Sequence, residues 1–117
     1  MKKNIIKEKS FNFALTIIQL CRQLREKNEY ILSKQLMRSG TSIGANVEEA
    51  IAAQSSKDFL SKLSIATKEA RETRYWLKLL DESQIVVLDY RSYKTDIEEI
   101  INILYSIVKT LSKQLQQ

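Results

Sequence analysis

Between residues 59 and 80 an apolar or small residue recurs at alternating steps of four and three, and this stripe limits the folds open to the chain. Such steps keep one face of an α-helix against a neighbouring helix over several turns. The stripe consists of Phe59, Leu63, Ala66, Ala70, Thr73, Leu77 and Leu80. A second stripe with the same steps consists of Ile97, Ile101, Leu104, Val108, Leu111 and Leu115. Two helices of this kind are typical of a left-handed helical bundle.

The chain of 117 residues has no proline and only two glycines, so it offers few sites for tight turns. We therefore predict an all-α protein with one domain over residues 1–117, an up-down antiparallel four-helix bundle. Its helices are expected at residues 4–26, 30–53, 56–82 and 89–115. Ser55 and Asp89 are the predicted N-caps of the third and fourth helices. The apolar run 85–88 has no partner strand, and we interpret it as a connector that packs against the end of the bundle.

The first helix has an apolar arc that covers more than half of its circumference, which is wider than one core face requires. Its members are Phe11, Phe13, Ala14, Leu15, Ile17, Ile18, Leu20, Cys21 and Leu24. Ile100, Ile103 and Ile107 widen the stripe of the fourth helix in the same way. Contact with two helices of the same chain, or with one of them and another subunit, would explain such arcs. Cys21 is the only cysteine, so we expect it in the core, with no internal disulfide.

Both glycines lie inside the second predicted helix, in the stretch 35–50. Each costs about 1 kcal/mol against alanine there, so a neighbouring helix is expected to approach closely at Gly40 and Gly44. The small side chains of Ala66 and Ala70 on the third helix are the predicted complement. On the other side of the second helix lies a polar row made of Arg38, Ser42, Asn46 and Glu49. That row fits a solvated face, a hydrogen-bonded seam between helices, or a functional surface.

The chain lacks the residues that most enzymes and metal sites use. Without histidine it has neither the commonest general base nor the commonest transition-metal ligand, and its two glycines form no phosphate-binding loop. The acidic pairs 48–49 and 98–99 are interpreted as solvated. We predict no catalytic residue, no metal site and no cofactor. No run of 18 apolar residues occurs and charged residues interrupt the N-terminal segment, so we expect a cytoplasmic protein without a membrane partner.

The formal net charge is +5 and the isoelectric point is near 9.4, which permits binding to a polyanion. One face of the third helix gathers cations around an aromatic ring. The candidate nucleic-acid-binding residues are Lys57, Lys68, Arg71, Arg74, Tyr75 and Lys78. Basic side chains in a row contact phosphates, and a tyrosine among them stacks on a base. A solvated face, with Glu69 and Glu72 close by, is the alternative, and Trp76 is a candidate anchor between helices or subunits.

Three stretches of the chain form a recognisable signature: Gln35-Leu36-Met37-Arg38-Ser39 with Ser42-Ile43-Gly44-Ala45-Asn46-Val47-Glu48-Glu49-Ala50, then Lys57-Asp58-Phe59-Leu60, then the run from Glu69 to Leu77. They resemble the signature of a bacterial four-helix-bundle family, the 23S rRNA-intervening-sequence protein family. Many members have glycine where this chain has Ala50. The residues of the motif helix that we single out are Arg38, Ser39, Gly40, Ser42, Gly44, Asn46 and Glu49.

The resemblance implies an up-down bundle that assembles as a ring, commonly a homopentamer. Some members are encoded in intervening sequences of ribosomal RNA genes. A related branch, the accessory variability protein of diversity-generating retroelements, binds nucleic acid and a reverse transcriptase. Two hypotheses follow: a nonenzymatic ring that binds RNA or DNA, with structured RNA as the expected ligand, and a protein–protein interaction scaffold whose basic charge is incidental.

Overall fold

The computed structural model describes the backbone of residues 2–116 and the side chains of residues 5–116. It contains four α-helices in chain order: α1 (Lys2–Glu26), α2 (Ile31–Ile51), α3 (Ser56–Ser83) and α4 (Arg91–Gln116). Each helix packs against two others, α1 and α3 each lying beside both α2 and α4. Short connections make consecutive helices antiparallel, so the predicted up-down four-helix bundle is confirmed. The described part of the chain measures 50 × 22 × 22 Å.

The predicted helix bounds are correct to within two residues at every end. The predicted Ser55 cap is confirmed, whereas Asp89 bonds the start of α4 from one residue before the cap position, which is Tyr90. The Ser55 hydroxyl accepts the backbone N–H of Asp58 (3.1 Å) at the start of α3. The Asp89 carboxylate accepts the backbone N–H of Arg91 (3.0 Å) at the start of α4. At the start of α2 the cap is Glu29, which we did not predict. Its carboxylate accepts the backbone N–H groups of residues 31, 32 and 33.

Side chains from all four helices form one apolar core. Residue 59 is half-buried, and the other six members of the α3 stripe are buried, as the spacing predicts. On α4 the widening residue Ile100 is buried within this chain, and Ile103 and Ile107 are half-buried. The wide arc of α4 is therefore covered only in part within the chain, and Leu115 at the end of its stripe is exposed to 39%.

The arc of α1 is different, because its outer side has no cover within the chain. Phe11, Leu15 and Ile18 follow one another at steps of four and three, and all three are exposed, Phe11 to 59%. The connector 85–88 is likewise covered only in part. Val86 packs into the core beside half-buried Leu88, whereas Ile85 and Val87 are exposed. The prediction that this run packs against the bundle end is correct for two of its four residues.

Cys21 lies in the core as expected. Its thiol donates a hydrogen bond to the backbone carbonyl of Ser33 (Sγ···O 3.4 Å), and burial raises the pKa of the thiol to about 11. A thiol in this state is protonated at neutral pH and makes a poor nucleophile. None of the helices in residues 2–116 has the length and apolar character that crossing a membrane requires.

Candidate nucleic-acid interface

The glycines of the motif helix serve packing, but against a different helix from the one we predicted. A Cβ atom on Gly40 would lie 2.8 Å from Cγ2 of Ile17, and one on Gly44 would lie 3.3 Å from the backbone oxygen of Ser10. Both neighbours belong to α1, so the predicted pairing with Ala66 and Ala70 of α3 is wrong. The close approach itself is confirmed, because neither position has free space for a larger side chain.

The contact between α2 and α3 is polar at its centre. The hydroxyls of Ser39 and Thr73 are both buried and lie 2.9 Å apart, and the Thr73 hydroxyl also lies 2.8 Å from the backbone oxygen of Glu69. A buried hydroxyl pair of this kind is satisfied only when both helices keep their register. Ser39 therefore has a structural role at the α2–α3 seam.

The polar row of α2 divides between the seam and the solvent. The Arg38 guanidinium reaches across to α3 and donates to Glu69 (3.0 Å) and to Glu72. Ser42 and Asn46 are half-buried, and their side chains donate to backbone oxygens of α2 itself, on Ser39 and Ser42. Glu49 is exposed. The hydrogen-bonded seam that we considered for this row is thus formed by Arg38 alone.

Glu69 and Glu72, the two acidic residues close to the basic face of α3, are both bonded to the second helix. Glu69 and Glu72 face α2 and share Arg38, and the Trp76 indole N–H also donates to Glu72 (3.1 Å). The bond from Trp76, followed by the bond from Arg38, holds the pKa of Glu72 below its ordinary value. These two carboxylates are therefore engaged at the α2–α3 edge, and the charge of Lys68, one turn from Glu72, also lowers the pKa of that carboxyl.

The basic face of α3 is a strip of solvent-exposed side chains. Lys57, Lys68, Arg71, Tyr75 and Lys78 are all exposed, and together they extend for about 30 Å along α3. We call these five residues the α3 strip. Lys57, Lys68 and Arg71 form no ion pair with any described residue. Cations left free on one helix face are available to an anionic ligand.

Towards α4 the strip borders a groove of about 610 Å³. Its lining combines strip residues with Arg74, Lys94 and Glu98. Here the charges are paired: Arg74 with Glu98 (3.2 Å), Lys94 with Asp81 (2.8 Å) and Lys78 with Glu82 (4.0 Å). Exposed pairs of this kind are worth at most about 1 kcal/mol, so a phosphate competes readily for the cation. Arg74 is thus a weaker candidate than Lys68 or Arg71, which form no ion pair with a described residue.

Two residues of α4 on the same side were missed by the sequence reasoning. Tyr105 is exposed to 53%, and the Lys109 ammonium lies 6.0 Å from the centroid of its ring. Tyr105 follows Glu98 by seven residues, so both occupy the α4 edge that faces α3. The sequence shows that Tyr105 lies beside the apolar stripe of α4. Only the antiparallel packing of α3 against α4 shows that it lies next to the α3 strip.

Comparison with known proteins agrees with this architecture. The 23S rRNA-intervening sequence protein family matches residues 2–106 of the chain. The chain belongs to this family. A crystal structure of a Bacteroides thetaiotaomicron protein, described as a protein with unknown function from the S23 ribosomal protein family, superposes with a TM-score of 0.88. The two sequences are 50% identical, and the match covers 93% of this chain and 99% of the other.

No curated protein matches the chain. The match to the 23S rRNA-intervening sequence protein family confirms the resemblance drawn from the motif helix and the start of α3. Neither the family's description nor that of the Bacteroides protein names a catalytic activity. The relation to the accessory variability proteins of retroelements stays a prediction.

Proposed function

We propose that this member of the 23S rRNA-intervening sequence protein family is a nonenzymatic oligomer that binds nucleic acid, with structured RNA as its expected ligand. The observation that carries the proposal is the α3 strip, whose side chains are exposed and include three cations without an ion pair to any described residue. Glu69 and Glu72 pair with Arg38 of α2. A net charge of +5 adds a long-range attraction for any polyanion. The family's link to ribosomal RNA genes supports RNA over DNA.

Assembly into a closed ring, with five subunits as the expected number, is part of the same proposal. Its support is the uncovered row of Phe11, Leu15 and Ile18 on α1, where a large aromatic side chain is mostly exposed. Burial of such a row against a second subunit removes apolar surface from water and stabilises the assembly. In a ring each subunit presents one α3 strip, so weak contacts to a single RNA act together.

Charge reversal on the strip tests the binding function. Lys68→Glu with Arg71→Glu lowers the formal net charge from +5 to +1, because two residues change from +1 to −1. Lys27→Glu with Lys34→Glu makes the same change at exposed positions outside α3 and is the matched control. We expect the α3 variant to lose at least about tenfold in affinity for a structured RNA, since two phosphate contacts are lost and two repulsions gained.

The control variant should lose much less affinity, and both variants should keep the thermal stability of the wild type because the side chains are exposed. Equal losses in the two variants would show that net charge alone drives binding. Unchanged affinity in the α3 variant would exclude the strip as the site.

An interaction scaffold is the second candidate, and exposed apolar residues at one end of the bundle favour it. The α1–α2 and α3–α4 connections meet at this end and expose Tyr30, Ile31, Ile85 and Val87. A protein partner, such as a reverse transcriptase, would cover such a patch without help from the basic strip. Binding of that kind should respond little to salt, whereas binding through the strip should weaken steeply.

A further inference from the structure

We infer that the groove between α3 and α4 takes an unpaired segment of nucleic acid, with Tyr75 and Tyr105 as two stacking platforms; this inference rests on the proposed function. The starting observation is that both rings are more than half exposed, Tyr75 to 55% and Tyr105 to 53%. They come from different helices: Tyr75 lines the groove, and helical spacing places Tyr105 on the edge of α4 that faces α3.

Two ion pairs set the relative positions of the rings. Arg74 meets Glu98, and Lys94 meets Asp81, so α3 and α4 run antiparallel with these residues at the same heights. Tyr75 follows Arg74 directly, and Tyr105 lies seven residues beyond Glu98, which is about 10 Å along the axis. The second ring therefore lies near the height of Lys68, outside the lining of the groove and next to its Arg71 end.

Cations accompany each ring. Arg71 and Lys78 lie one turn to either side of Tyr75, and all three line the groove. The Lys109 ammonium lies 6.0 Å from the centroid of the Tyr105 ring. Aromatic faces that alternate with cations along a groove are the arrangement by which proteins hold single strands, through base stacking and phosphate contacts.

A duplex cannot use this arrangement, because its bases are already stacked on one another and their faces are covered. Recognition of a helical RNA proceeds through shape, phosphates and 2′-hydroxyls, for which exposed tyrosine faces offer little. The ligand that fits the groove is therefore a loop, a bulge or a free single strand. Cations alone would suit a duplex and a single strand equally well.

The Tyr75 ring is held in place by its neighbours, and this also supplies a reporter. Its centroid lies 5.3 Å from that of Trp76, at an interplanar angle of 66°, and Trp76 is anchored by its hydrogen bond to Glu72. Trp76 is the only tryptophan in the chain. A base that stacks on Tyr75 changes the surroundings of this single tryptophan, so binding is visible in the emission excited selectively from tryptophan.

The test compares the affinities of the Tyr105→Ala and Tyr30→Ala variants for two RNA ligands. Tyr30 is a close match to Tyr105, because it is also exposed to 53% and its ring centroid also lies 6.0 Å from a cationic group, that of Arg25. Tyr30 precedes α2 at the other end of the bundle. The ligands are oligouridylate of about 20 nucleotides and an RNA duplex of equal length, measured by fluorescence anisotropy at low salt.

We expect Tyr105→Ala to weaken oligouridylate binding about tenfold and to leave duplex binding unchanged, since one stacking contact is lost. Tyr30→Ala should bind both ligands as the wild type does, and Tyr105→Phe should restore the single-strand affinity because stacking needs no hydroxyl. Trp76 emission of the wild type should change with oligouridylate and not with the duplex. Thermal melting monitored by circular dichroism confirms that each variant is folded.

Wild-type affinity of Tyr105→Ala for oligouridylate, or an equal loss on both ligands, would overturn this inference and leave the proposed function standing. Tighter wild-type binding to the duplex than to oligouridylate would do the same. If the wild type binds neither ligand at low salt, the proposed function itself fails, and the inference with it.

Discussion

Ser39 and Thr73 form the one buried side-chain hydroxyl pair that joins two helices in the described part of the chain. The sequence placed Thr73 in an apolar stripe and Ser39 in a motif, and neither pattern showed that the two meet. Periodicity gives the face on which a residue lies, but the register between two helices depends on packing along their whole length. The same reason explains Gly40 and Gly44, whose packing face was predicted correctly and whose partner helix was not.

A double-mutant cycle measures the interaction energy between the Ser39 and Thr73 hydroxyls. Thr73→Val removes one hydroxyl and leaves the Ser39 hydroxyl buried without that partner, so the free energy of unfolding should fall by about 1–3 kcal/mol. Adding Ser39→Ala removes the stranded group, and the double variant should recover a large part of that loss. Urea unfolding followed by circular dichroism gives both values. Additive losses would show that the two hydroxyls are independent, contrary to the contact described above.

At the scale of the helix, the ends and the buried stripes were predictable because they depend on local sequence. Two apolar heptads, a serine and an aspartate defined α3 and α4 to within two residues. The cap by Glu29 was not predicted, because glutamate is not a favoured N-cap and acts here from one residue before the cap position. The coverage of the α4 arc also depended on tertiary contacts that a single helix cannot reveal.

The contact between Asp89 and Arg91 at the start of α4 should make the stability of the protein depend on pH at low pH. The Arg91 side chain and then its backbone N–H hydrogen-bond the Asp89 carboxylate, and they lower the pKa of Asp89 from 3.8 to about 2. A folded-state pKa below the unfolded one means that the stabilisation is present above about pH 4 and is lost as the pH falls towards 2.

The pKa of Asp89 is measured directly by following its carboxyl chemical shift in an NMR titration. We expect Asp89 to titrate near 2 and Arg91→Ala to raise its pKa towards 3.8. Asp96 on the same helix is an internal reference of opposite sign, because burial, followed by the charge of Glu99, raises its pKa. An Asp89 that titrates at its ordinary value would show that the Arg91 contact is absent in solution.

At the scale of the whole molecule, the basic strip was predictable from sequence, since its members follow helical spacing on α3. Its partner residues on α4 were not, because they join it only through the antiparallel packing of the two helices. The exposed apolar side of α1 could be predicted from the sequence only in part. The width of its apolar arc was visible in the sequence, but the structure was needed to show which residues the chain itself leaves exposed.

Assembly is expected to depend on that side of α1. Phe11→Glu with Leu15→Glu places two carboxylates in the exposed row and should give a monomeric mass by light scattering, with the helix content retained. Ile31→Glu, a similar change at an exposed residue of the other end, should keep the oligomer of the wild type. A wild-type protein that is already monomeric at micromolar concentration would contradict the ring.

The salt dependence of RNA binding by the wild-type protein tests whether α3 binds phosphates. Association constants for a structured RNA are measured by anisotropy between about 50 and 300 mM salt. If the four cations of one strip all contact phosphates, log K should fall linearly with log salt, with a slope of about −3 for each strip that binds. An association constant that stays level over this range would contradict the account.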